Sequence, residues 1–211
     1  SYFDLAIALG YLLSSHTIDF DPEHKIFLGE LSLDGSIQPI GGVLPLVQHA
    51  KQNGFTEIFV PRKNACEAAL VSDITIYAVD NLKQVVHHVT GNEKLTPEPQ
   101  TEINFDEHQE ITTDFFDIKG QEIAKRGLEI AAAGGHNIVM FGPPGTGKTM
   151  LARAFTGILP TLSLDEALEV TGIHSISGKL QQPLIIHPPF RSPHHTSSYV
   201  SLIGGGTIPK P

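Results

Sequence analysis

The run Asn137-Ile138-Val139-Met140-Phe141-Gly142-Pro143-Pro144-Gly145-Thr146-Gly147-Lys148-Thr149-Met150-Leu151-Ala152-Arg153-Ala154-Phe155 decides the reading of this chain. Its centre, residues 142–149, satisfies the pattern Gly-x-x-x-x-Gly-Lys-Ser/Thr at every fixed position. Residues 137–141 before it read as a short buried strand, and residues 149–155 after it read as a helix. Strand, glycine-rich loop and helix are the context that the pattern needs. A nucleoside triphosphate carries dense negative charge, which many donors must meet without side chains in the way. Glycine lets the backbone curl so that its N–H groups converge on the phosphates. The helix N-terminus adds its partial positive charge.

Gly142, Pro143, Pro144, Gly145, Thr146, Gly147, Lys148 and Thr149 are therefore the candidate binding residues for ATP with Mg2+. Lys148 is the candidate catalytic residue, reaching the terminal phosphates, and the Thr149 hydroxyl is the candidate metal ligand. The plain alternative, a glycine-rich turn with no ligand, would not call for these flanks.

Outward from this loop, the 211 residues suffice for one large domain or two small ones. Hydrophobic residues make up 40% and charged residues 18%, as in globular proteins. The apolar run over residues 5–13 is broken by Gly10 and falls short of the ~20 residues a membrane helix needs. No basic stretch precedes an apolar core at the start, so no secretory signal is read. The single cysteine, Cys66, excludes an internal disulfide and suits a reducing cytoplasm. It is expected as a small buried side chain. The net charge of −9 is uneven: residues 1–110 carry six basic and sixteen acidic side chains, residues 111–211 eight and seven. With no long basic run, nucleic-acid binding would need a local patch or an assembled ring.

The first 90 residues alternate strand and helix patterns, which predicts an α/β or α+β domain. A buried helix is expected over 3–15 and one strand over 26–33. Asp34-Gly35 signals a hairpin into residues 36–38. A helix is expected over 43–53, a strand over 57–60, a helix near 64–70 and a strand over 74–79. Asp80 is the expected N-cap of a helix ending at Val89, where His87-His88 suit the helix dipole. Residues 91–113 lose periodicity and carry Pro97, Pro99 and the acids Glu93, Glu98, Glu102, Asp106, Glu107 and Glu110, which predicts an acidic, solvated tether. Beyond it come a helix over 121–133 closed by Gly134-Gly135, and a helix over 164–172 opened by the capping box Ser163-Leu164-Asp165-Glu166. Residues 176–211 read as loops, with a possible strand over 184–186.

Several segments together resemble a family. Asp117-Ile118-Lys119-Gly120-Gln121 runs into Leu128-Glu129-Ile130-Ala131-Ala132-Ala133-Gly134-Gly135-His136-Asn137 and the phosphate loop. Glu169-Val170-Thr171-Gly172-Ile173-His174-Ser175, Pro189-Phe190-Arg191-Ser192-Pro193-His194-His195-Thr196 and Gly204-Gly205-Gly206 follow. These resemble the magnesium-chelatase-like AAA+ ATPases of the YifB/ComM group. The resemblance implies a cytoplasmic, hexameric ring ATPase using ATP and Mg2+, with DNA branch migration in natural transformation as the associated role. It implies that Asp117, Ile118 and Gly120 line the adenine pocket; the plainer reading makes Asp117 a helix N-cap.

Phe27-Leu28-Gly29-Glu30-Leu31-Ser32-Leu33-Asp34-Gly35-Ser36, Pro39-Ile40-Gly41-Gly42 and residues 55–61 resemble a Lon-protease-like domain of ribosomal S5 domain 2 type. The fold class implied is α/β: a partial Lon-like α+β domain over 1–90, a linker over 91–113, and the N-terminal part of a P-loop AAA+ domain over 114–211. Lon-type peptidases use a Ser nucleophile and a Lys base. The resemblance puts those positions at Tyr2 and Leu44, and leucine accepts no proton. The expectation is a non-proteolytic relative. The alternatives to a DNA motor are an ATP-dependent Lon-like peptidase and a metal-insertion ATPase subunit of the magnesium-chelatase kind.

His194-His195 invite a metal reading, but neighbours in an extended chain point to opposite faces, and a loop contacting substrate or a second subunit is favoured. After Lys148 the only acids, Asp165, Glu166 and Glu169, share one expected helix, and none ends an apolar strand as a second Mg2+ carboxylate would. The chain is thus expected to be cut at both ends, to bind ATP weakly or not at all by itself, and to turn it over negligibly.

Overall fold

The structure is a computed structural model, described here for residues 1–103, 113–178, 180, 182–194 and 196–198. They fall into two bodies, residues 1–103 with 168–184 and residues 113–167 with 185–198. In chain order the first body carries α1 (Asp4–Ser14), β1 (Lys25–Phe27), β2 (Glu30–Leu31), β3 (Ile37–Gln38), α2 (Val43–Gln52), β4 (Glu57–Pro61), α3 (Ala65–Ala68), β5 (Thr75–Val79) and α4 (Leu82–Val89).

Strands β1, β4 and β5 form a parallel sheet in that order, with Ile26 opposite Ile58 and Phe59 opposite Tyr77. The run Ile58-Phe59-Val60 is apolar without a break because both faces of a parallel sheet are covered. Ile58, Val60, Ile76 and Ala78 face α2 and α3, packing on Val43, Val47, Ala65 and Ala68. Phe59 and Val79 face α1 and α4, packing on Leu5, Leu9 and Val85. On that side Phe59 stacks between Phe27 and Tyr77 at centroid distances of 4.7 and 4.9 Å. The expected mixed α/β layering is present.

Several details of the first body differ from expectation. The single strand over 26–33 divides at Gly29, whose φ of +146° disfavours other residues; a Cβ there would lie 2.5 Å from Ile37 Cγ2. The chain leaves the sheet at Gly29 and enters the β2–β3 hairpin, where Leu31 faces Ile37. Its turn is the one Asp34-Gly35 signals: Gly35 sits at φ +83°, and the Asp34 carboxylate accepts from the Ser36 N–H at 3.0 Å.

The N-cap of α4 is Asn81, not Asp80. Asn81 has the extended backbone a cap needs and its Oδ1 accepts from the Gln84 N–H at 3.0 Å, while the Asp80 carboxylate takes Arg62 Nε at 2.8 and 2.9 Å. Helix α1 buries only Leu5 and Leu9, leaving Phe3, Ile7 and Tyr11 exposed. Cys66 is exposed, because Ala65, Glu67 and Ala68 take the inward face of the short α3. Residues 95–101 lie along the first body instead of forming a solvated tether. Leu95 packs on its core, the Glu98 N–H donates to Ile76 O at 2.8 Å, and the Thr101 N–H donates to Ala69 O at 3.1 Å. Asp106, Glu107 and Glu110 lie outside the described residues.

The second body begins with a 3-10 turn, Phe115–Asp117, followed by α5 (Glu122–Gly134) and α6 (Lys148–Thr156). Its core joins Ile118, Leu128, Leu151 and Ala154, flanked by Phe115, Met140 and Phe155. Helix α5 closes on Gly135 at φ +61°, as Gly134-Gly135 suggests. Helix α7 (Leu164–Ile176), whose residues from 168 onward count with the first body, opens on the expected box, the Glu166 carboxylate accepting from the Ser163 N–H at 2.8 Å, and runs a turn past residue 172. The Ser163 hydroxyl, donating at 2.7 Å, and then the Ser163 N–H hold the Glu166 carboxyl below its ordinary range. Two expected strands are not formed. Residues 137–141 pair with no strand among the described residues, and Val139 and Phe141 are 93% and 101% exposed. An apolar run becomes a strand only when another strand offers its N–H and C=O groups. Residues 184–186 are not in a strand, although the Leu162 N–H donates to Ile186 O at 2.9 Å.

Candidate nucleotide site

The loop over residues 142–149 takes its shape from three glycines and from α6, which begins at Lys148. Gly145 and Gly147 sit at φ +81° and +85°, conformations L side chains rarely adopt. A Cβ on either would meet nothing within 4 Å, so no neighbouring atom crowds the loop at these two positions. Gly147 caps α6, and the first turn of that helix leaves unbonded N–H groups facing the loop.

Lys148 is folded into this loop. Its Nζ donates to Gly142 O at 2.9 Å and to Pro143 O at 2.6 Å, with Thr146 Oγ1 3.3 Å away. Thr146 Oγ1 itself donates to Pro143 O at 3.0 Å. The ammonium is thus held over the loop by weak neutral acceptors, which an anion of higher charge would outcompete. Thr149 is exposed at the first turn of α6, its hydroxyl open to a metal ion. An ammonium, a hydroxyl and a curled backbone make a donor set that fits a polyphosphate with Mg2+. Among the described residues no group of three or more His, Cys, Asp or Glu could hold a metal ion by itself, so the phosphates would have to complete the shell.

Asp117, Ile118 and Gly120 stand beside this loop in the second body. Asp117 closes a capping box with Asp114 in the 3-10 turn and does not cap α5, whose N-cap is Gln121 at φ +61°. Gln121 Nε2 donates to Thr146 O at 3.4 Å, tying this segment to the phosphate loop. Ile118 is buried in the core against Leu151, and its carbonyl accepts from Lys125 Nζ at 2.6 Å. Only its edge is left for a ligand, while Gly120 at φ +68° is open. The link through Gln121 was not visible in the sequence, since glutamine before a helix has many uses.

Elsewhere, Tyr2 is exposed and the Leu44 side chain is completely buried. A lysine at 44 would need a buried charge partner. His194 Nδ1 lies 2.7 Å from Thr196 Oγ1 in a local turn; His195 and residues 204–206 lie outside the described residues. His88 is not a cation at a helix end: it is 5% exposed, its ring packs on Phe59 and Tyr77, and its Nδ1 accepts from the Leu95 N–H at 2.9 Å.

The family model "Magnesium chelatase, subunit ChlI" matches residues 114–211, and "Subunit ChlI of Mg-chelatase" matches residues 1–64. The competence protein ComM of Haemophilus influenzae is 43% identical over 99% of this chain and 42% of its own length. The uncharacterized protein YifB of Escherichia coli is 38% identical over 99% of this chain and 41% of its own length. Lon protease 2 of Bacillus subtilis is 34% identical over 47% of this chain and 18% of its own length. The chain therefore spans about two fifths of the length of the ComM and YifB relatives. Among the described residues no helix is long and apolar enough to cross a membrane. On these matches, the chain belongs to the magnesium-chelatase-like family of YifB and ComM, a group of AAA+ type.

Proposed function

We propose that residues 142–149 bind ATP with Mg2+, and that the protein at the full length of its relatives is a cytoplasmic AAA+ ATPase that works as a hexameric ring on DNA. The observation that carries this reading is the glycine loop with Lys148 held over it by two carbonyls and the Thr146 hydroxyl, all neutral acceptors. Bound ATP and Mg2+ would supply the phosphoryl-transfer chemistry. Lys148 would neutralise the terminal phosphates, Thr149 would hold the ion, and Gln121 would fix the loop to the segment of Asp117, Ile118 and Gly120, whose backbone would border the base. In domain terms, residues 1–90 are read as Lon-like, 91–113 as the connection and 114–211 as the start of the AAA+ domain. DNA as substrate rests on the resemblance to the YifB/ComM group, one member of which, 43% identical to this chain, is named a competence protein. A peptidase is disfavoured by the buried Leu44 at the position of the base.

Asp165 and Glu166 lie on the first turn of α7, and the Glu166 carboxylate is engaged by Ser163. Neither is arranged to orient water, so the 211-residue chain by itself should turn ATP over negligibly. At the full length of the relatives, steady-state ATPase activity should rise when single-stranded or branched DNA is added. Activity that is indifferent to every DNA would remove the DNA reading and leave the metal-insertion class in its place.

A further inference from the structure

Residues 168–184 are held to the first body by a polar junction and not by its hydrophobic core. None of the described residues among them belongs to either apolar cluster of that body. Near the end of α7, the buried Ser175 hydroxyl accepts from the Gly42 N–H at 2.8 Å and donates to Glu67 Oε1. Glu67, 7% exposed, also accepts from the Leu44 N–H at 3.0 Å and from Asn64 Nδ2 at 3.4 Å. Asn64 in turn holds both polar groups of the Ile40 backbone, at 3.1 and 2.9 Å. One carboxylate and one hydroxyl thus satisfy two of the N–H groups that the start of α2 leaves unpaired.

The surrounding contacts are made by small residues at close range. A Cβ on Gly41 would lie 3.1 Å from Ser175 O, one on Gly42 3.3 Å from Ile176 Cγ1, and one on Gly172 3.8 Å from Pro45 Cδ. Beside the junction lies a cavity of about 620 Å³, lined on one side by Asn64, Cys66 and Glu67 and on the other by Ser175, Leu180 and Gln182. Segments fixed by few apolar contacts open at low free energy, whereas core strands open only with the whole fold.

We propose that Glu67 and Ser175 form a latch, a conformational device that holds residues 168–184 on the first body and can release them while the sheet stays folded. Closed, it caps α2 and walls the cavity beside Cys66. Open, it frees the Gly42 N–H and exposes the Glu67 carboxylate to water, which softens the cost of unpairing a buried charge. The junction uses the α2 position where the Lon-like resemblance would place a catalytic lysine, and Leu44 contributes only its backbone there.

Hydrogen–deuterium exchange on the 211-residue chain tests this with Ser175→Ala and Glu67→Gln. Each variant should speed exchange of the amides over 171–178 by about tenfold while β4 and β5 keep their protection. The rate at which Cys66, the single thiol, reacts with an aromatic disulfide should change in step. Unchanged exchange over 171–178 in Ser175→Ala overturns the latch. So does an equal rise across β4 and β5, which would make the junction part of the global fold. If Glu67→Gln does not fold, Ser175→Ala decides alone.

Discussion

His88 shows how burial changes what a residue can do. Burial, with the Lys94 and Lys25 ammonium groups adding, holds its imidazole below the ordinary range, and Glu57 only partly opposes this. Its Nδ1 already accepts a backbone N–H, so a second proton would face a donor. The folded state therefore binds fewer protons at this ring than the unfolded chain does. Stability is fully present above the unfolded pKa of about 6.5 and falls as the pH drops through that value toward the depressed folded one. Urea midpoints measured at about pH 7.5 and about pH 5.5 should differ, and His88→Phe should flatten that difference. An unchanged pH slope in the variant would assign the effect to other groups. Cys66 carries the opposite lesson: its type suggests a buried position, but on a helix of four residues the neighbours decide which way it points.

Elements were legible in the sequence where local chemistry sets them. The Asp34-Gly35 hairpin, the Gly135 stop of α5 and the Ser163–Glu166 box of α7 each need only residues within one turn, and each is present. Elements that depend on a distant partner were not legible. The strand over 26–33 ends at Gly29 because Ile37 and Pro61 leave no room for a side chain there. Residues 137–141 have a strand's composition but no ladder partner among the described residues. The shift of the α4 cap from Asp80 to Asn81 follows from Arg62, eighteen residues away from Asp80, which claims the aspartate. Asn81→Ala should cost about 1 kcal/mol in thermal or urea unfolding, since it removes the bond to the Gln84 N–H. Asp80→Ala should cost less, because its pair with Arg62 is half-exposed. The reverse order would place the cap back at Asp80.

At the scale of the whole molecule, one body is a parallel sheet covered on both faces and the other carries the glycine loop over residues 142–149 on a small core. The Gly142–Thr149 pattern can be read residue by residue because it is contiguous in sequence. The Glu67–Ser175 junction cannot, because its partners are 108 positions apart. The central claim is that the loop is a nucleotide site with Lys148 as its main cation. A fluorescent ATP analogue titrated with Mg2+ into the protein at the full length of its relatives, and into its Lys148→Ala counterpart, tests it most directly. Saturable binding that weakens by about tenfold or more in the variant is the expected result. Superimposable titrations of the two proteins would contradict it.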